Sequence, residues 1–230
     1  MKKRRALLSW SSGKDSAWAL HRLRQEAKYE LVGLVTTVNE AVGRVAMHAV
    51  REALLERQAA ACGLPIWRVP IPSPCSNAQY EAAMTRVVTR AVGEGVEVMA
   101  FGDLFLEDIR AYREKQLAGT GLEPCFPIWG CDTAALSREM VAAGLRAYVT
   151  CVDPRQLAPE FAGRTFDAAF LGDLPEDVDP CGENGEFHTF AFAGPMFRQP
   201  IAVEPGPVVE REGFHFADLL PAGSLSPPGE

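Results

Sequence analysis

Apolar residues fall along this chain in two rhythms. Short unbroken apolar runs alternate with stretches where apolar positions return every three or four residues. The first rhythm predicts strands buried on both faces, the second amphipathic helices. The runs cover residues 6–10, 31–38, 64–69, 96–101 and 146–152. A helix opens at Lys14, with Ala17, Leu20, Leu23 and Ala27 recurring along it, and a second covers 48–62 and ends at Gly63. The third is the clearest. Ser76-Asn77-Ala78-Gln79 has the form of a capping box, and Tyr80, Ala83, Met84, Val87, Val88 and Ala91 follow at helical spacing. Further helices are predicted over 108–118 and from an Asp132 cap to Gly144, while 124–127 reads as extended. Pro70, Pro72 and Pro74 stiffen a non-helical link.

Strands alternating with helices predict an α/β fold with a doubly wound, mostly parallel sheet. Beyond Asp153 the alternation weakens, and Gly, Pro and acidic residues accumulate through 173–180 before short alternating strands return. The expected organisation is a first domain over residues 1–150, a smaller α+β region over 151–222 and a disordered tail over 223–230.

Composition adds exclusions. Hydrophobic residues make up 47% of the 230, enough for a substantial core. The net charge of −7 argues against a general nucleic-acid surface. The basic run Lys2-Lys3-Arg4-Arg5 precedes too few apolar residues for a signal peptide, and no stretch approaches the ~20 apolar residues of a membrane span. A cytoplasmic protein with no membrane partner is expected. The cysteines at 62, 75, 125, 131, 151 and 181 include no C-x-x-C pair, so zinc and thioredoxin-type chemistry lack support.

Three stretches carry chemistry. The first is Ser11-Ser12-Gly13-Lys14-Asp15-Ser16, at a strand–turn–helix junction where backbone N–H groups and the helix N-terminus suit an anion. Ser11, Ser12 and Ser16 offer hydroxyl donors and Lys14 a compact positive charge. Asp15 suits Mg²⁺ or a helix cap. The plainer reading is an ordinary βα turn. The second is Gly102-Asp103, at the carboxyl end of a predicted strand, where Asp103 suits a metal or substrate. Asp108 and Arg110 behind it read as a cap and its ion-pair partner, or as further site residues. The third is the acidic turn 179–189, where Glu183, Glu186 and His188 crowd around Asn184-Gly185. Such a turn can bind Mg²⁺, orient an amine or take a proton. Asn184-Gly185 alone is also a strong hairpin-turn signal.

The 11–16 stretch resembles S-G-G-K-D-S, the signature of the PP-loop ATP pyrophosphatases, with Ser12 standing where that group usually has its first Gly. With Gly182-Glu183-Asn184-Gly185-Glu186-Phe187-His188-Thr189 downstream, the chain resembles the diphthine–ammonia ligase family over roughly residues 6–198. Gly102-Asp103 with Glu107-Asp108-x-Arg110, and Pro127-Ile128-Trp129 followed by Asp132, resemble it too, although Ile128 replaces a common Leu. The resemblance implies an adenine nucleotide alpha hydrolase-like (HUP-type) domain and a ligase that adenylates a carboxylate, releases pyrophosphate, then forms an amide with ammonia and releases AMP. It implies ATP and Mg²⁺ as cofactors, with Lys14 and Asp15 catalytic. Ser11, Ser12, Gly13, Lys14, Ser16 and Gly102 would bind ATP, and Asp15 and Asp103 the metal. Asp103, Glu183, Asn184, Glu186 and His188 would face the acceptor or ammonia. The family's acceptor is diphthine on elongation factor 2. A composition rich in Ala, Arg and Pro also suits a bacterial chain, for which the acceptor would be a different carboxylate. A homodimer is compatible with this reading, and a non-catalytic ATP-binding regulatory module is the alternative from another class.

Overall fold

The computed structural model describes residues 2–39, 44–45 and 50–222. His48, read as the start of the second helix, and the tail 223–230 lie outside the described residues. In chain order the first half comprises β1 (Arg4–Ser9), α1 (Lys14–Gln25), β2 (Tyr29–Asn39), β3 (Arg44–Val45), α2 (Glu52–Cys62) and β4 (Ile66–Ile71). It continues through α3 (Asn77–Gly93), β5 (Val98–Ala100), α4 (Glu107–Leu117) and β6 (Glu123–Cys125). The second half comprises α5 (Thr133–Ala142), β7 (Arg146–Val152), β8 (Thr165–Phe166), α6 (Ala168–Asp173), β9 (Phe187–Ala193), β10 (Val203–Arg211) and β11 (Phe214–Pro221).

Five strands form a parallel sheet in the order β4-β2-β1-β5-β6, and β3 adds a short antiparallel edge to β2. Successive residues of its central strands serve opposite faces. Leu8, Leu34 and Ala100 join a core with α1, α2 and the second half, while Leu7, Val35 and Met99 join a second core with α3. Helices on both faces explain why these strands read as unbroken apolar runs. β4 is an edge strand, which is why Pro70 fits within it.

The predicted strand at 146–152 forms, but as β7 of an antiparallel sheet, where it pairs with β8, β9 and β11. The fifth place in the parallel sheet goes to β6, three residues containing Pro124. Asn184-Gly185 makes no hairpin: the following strand, β9, pairs with β7, far back in the chain. The Asp132 cap forms, with its carboxylate accepting from Ala135 N at 2.7 Å. So does the capping box of α3 between Ser76 and Gln79. Among the described residues, no helix is long and apolar enough to cross a membrane.

Candidate active site

The chain leaves β1 on one side for β2 and returns on the other as β5, so a crevice opens beyond the carboxyl ends of β1 and β5. The Ser11–Gly13 turn fills one side of it. Ser12 adopts φ 71°, a left-handed conformation that costs a residue with a side chain about 1–2 kcal/mol. Its hydroxyl is buried and has no hydrogen-bond partner among the described residues. Gly13 then serves as the N-cap of α1, and no side chain of its own helix caps it. The cap comes from the other half of the molecule, where Thr189 Oγ1 on β9 accepts from Lys14 N at 3.1 Å. Ser11 Oγ and Ser16 Oγ lie 3.1 Å apart, and Ser16 Oγ donates to Gly13 O at 3.0 Å. The result is a helix N-terminus fringed by two hydroxyls, an arrangement suited to phosphate oxygens.

Lys14 does not reach into open solvent. It is 1% exposed, and its Nζ donates to both Asp15 oxygens, at 3.0 and 2.8 Å, and to Cys181 O. The Phe166 and Phe187 rings lie 5.6 and 5.4 Å from the ammonium. Burial is the strongest single influence and works against that charge, but Asp15, Cys181 and Glu183 together outweigh it and hold the lysine pKa above its ordinary value. Across the crevice, a Cβ on Gly102 would lie 2.9 Å from Ser16 N and 3.0 Å from Asp15 C. Only glycine lets the end of β5 pass this close to the first turn of α1. Asp103 lines the crevice next to it and is held by Arg113, whose Nε and Nη2 donate at 2.6 and 3.2 Å. The guanidinium in turn stacks over Phe101 at 4.5 Å.

The acidic turn closes the crevice from the second half. Glu183 Oε1 accepts from Leu104 N at 2.8 Å, so the carboxylate is fixed against the loop that follows β5. Burial, reinforced by the Asp15 and Asp103 charges, pushes its pKa up to about 7 against the pull of Leu104 N and Lys14. His188 is held below its ordinary value by burial and by the Lys14 charge. Glu186 stands behind the wall. It is 2% exposed, and its Oε1 accepts from Asp179 N and Asn184 Nδ2, both at 3.0 Å. Asn184 is exposed and spends its amide on that bond.

One pocket therefore gathers both motif stretches. Ser11, Gly13, Lys14, Asp15 and Ser16 line it from one side, Gly102 and Asp103 from the loop after β5, and Glu183 and His188 from the acidic turn and the start of β9. Ser12, Asn184 and Glu186 do not line it; they brace its walls. The pocket has a volume of about 240 Å³ and is open to solvent. Three of its determinants escaped sequence reasoning. Arg113 is separated from Asp103 by a loop and most of a helix, which leaves no local signal. Thr189 lies within the 182–189 stretch with nothing in its type to mark a capping role, and Gln58 resembles any other polar residue of α2. Asp108 is not part of the pocket, and Arg110 pairs with Glu114 at 2.8 Å and covers Trp129.

The chain matches the model of the diphthamide synthase N-terminal domain over residues 3–124 and that of the C-terminal domain over residues 132–218. It is 27% identical over 228 residues to a diphthine–ammonia ligase of Danio rerio, covering 93% of this chain and 86% of that protein. A protein of the same name from Rattus norvegicus is 24% identical over 231 residues, covering 91% and 86%. A third, from Homo sapiens, is 29% identical over 131 residues, covering 55% of this chain and 49% of its own length. With the two domain models together spanning most of its length, this chain belongs to the diphthamide synthase family.

Proposed function

We propose that this chain is an ATP-dependent amide ligase that activates a carboxylate as its adenylate and passes the acyl group to ammonia. The observation that carries the reading is the single pocket walled by the α1 N-terminus on one side and by Glu183 and His188 on the other. A ligase has to hold activated acid and amine together, and two motif-bearing walls facing one pocket support that reading.

In this reading the ATP phosphates lie at the first turn of α1, against Ser11, Gly13 and Ser16, with Gly102 keeping the opposite wall close. A carboxylate oxygen of the acceptor attacks the α-phosphorus. The bond from that phosphorus to the bridging oxygen breaks, and pyrophosphate leaves. The helix N-terminus and Lys14 offset the charge that gathers on it. Ammonia then attacks the acyl carbon, its nitrogen passes a proton to a phosphate oxygen of the departing nucleotide, the bond to the AMP oxygen breaks, and AMP leaves. The nucleophile must be neutral ammonia, so ammonium has to give up a proton. Glu183, titrating at about 7, can take it near neutral pH. His188, held neutral, remains able to accept a hydrogen bond. Mg²⁺ arrives with ATP as part of the substrate. Asp15 and Asp103 already hold Lys14 and Arg113, and no described cluster of three His, Cys, Asp or Glu side chains suits a resident ion. The acceptor is diphthine, the substrate in the relatives' name, where the source makes that residue, and another carboxylate where it does not.

Product analysis tests the reading. Purified protein is incubated with Mg-ATP and ammonium, with and without an extract of its source cells. AMP and pyrophosphate are expected, dependent on the extract and lowered at least about a hundredfold in Lys14→Ala, the scale of one lost transition-state contact. ADP as product would overturn it. Tight ATP binding with no turnover under any condition would establish a regulatory binding module instead.

A further inference from the structure

Gln58, on α2, is fully buried and takes no part in the chemistry above. Its amide makes three of the four hydrogen bonds open to it. Oε1 accepts from Trp10 Nε1 at 2.9 Å, just past the end of β1. Nε2 donates to Ser12 O at 2.9 Å and to Ala191 O, on β9, at 2.7 Å. One acceptor and two donors in a single uncharged group is a combination only an amide side chain supplies. Ser12 O receives a second donor as well, Ala191 N at 2.9 Å.

These bonds fix the direction of a peptide group. In a planar trans peptide the C=O of Ser12 and the N–H of Gly13 point opposite ways. With Ser12 O pinned inward by two donors, the Gly13 N–H turns outward, toward Ser11 Oγ at 3.3 Å, and both Ser11 and Gly13 line the pocket. A flipped peptide would aim a carbonyl oxygen at a bound anion instead. The lock is needed because Ser12, at φ 71°, sits in backbone territory that a side chain disfavours. Its own hydroxyl makes no compensating bond among the described residues.

We propose that Gln58 is a positioning residue for nucleotide binding. It holds the Ser12–Gly13 peptide with its N–H toward the phosphates, and so lets a serine occupy a position that otherwise calls for glycine. The inference rests on the placement of ATP phosphates at this loop.

The test uses the full chain and three variants: Gln58→Leu, Gln58→Glu, and Gln58→Leu combined with Ser12→Gly. Affinity for ATP is measured by calorimetry, and amide hydrogen exchange is followed in the peptide spanning residues 9–16. Gln58→Leu should weaken ATP binding at least about tenfold, the ratio carried by one buried hydrogen bond, and speed exchange in that peptide. Adding Ser12→Gly should restore part of both, because glycine accepts the left-handed conformation without help. Gln58→Glu sets a carboxylate against two carbonyl oxygens, so its affinity relative to wild type should recover as pH falls and the carboxyl gains a proton to donate. A residue that merely fills space would give neither the glycine rescue nor the pH profile, and absence of both overturns the proposal. So does wild-type affinity in Gln58→Leu. If Gln58→Leu fails to fold, the pH profile of Gln58→Glu decides alone. If wild-type protein binds no ATP, the functional reading fails, while the exchange comparison still judges the lock.

Discussion

Glu183 shows how burial sets chemistry at a single residue. A carboxyl that titrates at about 7 in the folded chain, against an ordinary value of 4.5, binds its proton more tightly folded than unfolded. Folding stability therefore falls as pH rises between those two values and levels off above about 7. Glu183→Gln keeps the acceptor for Leu104 N and removes the titration. Denaturant midpoints measured from pH 4 to 9 should show wild type losing stability relative to Glu183→Gln through this window, with the variant more stable at pH 8. In parallel, ligase activity should rise through about pH 7 in wild type and be lost in the variant. A constant stability difference across the range would mean that the carboxyl titrates normally. The site would then lack a base tuned to neutral pH. A stabilising substitution that removes activity is the pattern expected where function keeps a charge in a costly place.

At the scale of elements, the close pass of β5 over α1 is the feature most exposed to test. In Gly102→Ala the new methyl would meet Ser16 N at 2.9 Å and Asp15 C at 3.0 Å, backbone atoms that cannot rotate away. The first turn of α1 has to shift, at about 1–3 kcal/mol for an overpacked contact. Thermal melts should show a fold retained at reduced stability, and ATP titration a loss of affinity larger than that of a surface substitution. Unchanged affinity would show that the phosphates do not sit on this turn. What sequence reasoning recovered and missed among the elements divides by range. The capping box of α3 and the Asp132 cap close within three residues, so local chemistry reveals them. The partner of a strand is not local. The apolar run of β7 suits either sheet, and nothing within it names β9 as its neighbour. β6 is too short and too proline-bound to register as a strand, yet it completes the parallel sheet. At the site, the motif residues were legible because their types are rare in combination. Thr189, Gln58 and Arg113 act through contacts 10 to 175 positions away, from Arg113–Asp103 to Thr189–Lys14, and their types alone are ordinary.

Across the whole molecule, the two halves share one interior. The larger core runs without a break from Leu8, Trp10, Leu20 and Leu54 into Val149, Phe187, Phe190 and Leu219. Polar bonds cross the same boundary: Arg24 Nη1 donates to Met196 O at 2.7 Å, Arg51 pairs with Asp218, and β9 bonds the turn between β1 and α1 through Ala191 and Thr189. The crevice lies on that boundary, so its geometry lasts only while both halves are folded. The chain should therefore unfold in one transition. All four tryptophans, at 10, 18, 67 and 129, precede the second sheet, so their emission reports on the first half. Phe170 belongs to the second half, fully buried with its ring centroid 5.2 Å from that of Phe187. Phe170→Ala should cost about 3–5 kcal/mol, and, if the interior is shared, lower the midpoint seen by tryptophan emission as much as that seen by far-ultraviolet dichroism. Calorimetric and van't Hoff enthalpies should agree in both proteins. A tryptophan midpoint that stays put while the dichroism splits in two would show halves that fold independently. The Ser11–Gly13 turn would then have to keep its shape without the Thr189 cap.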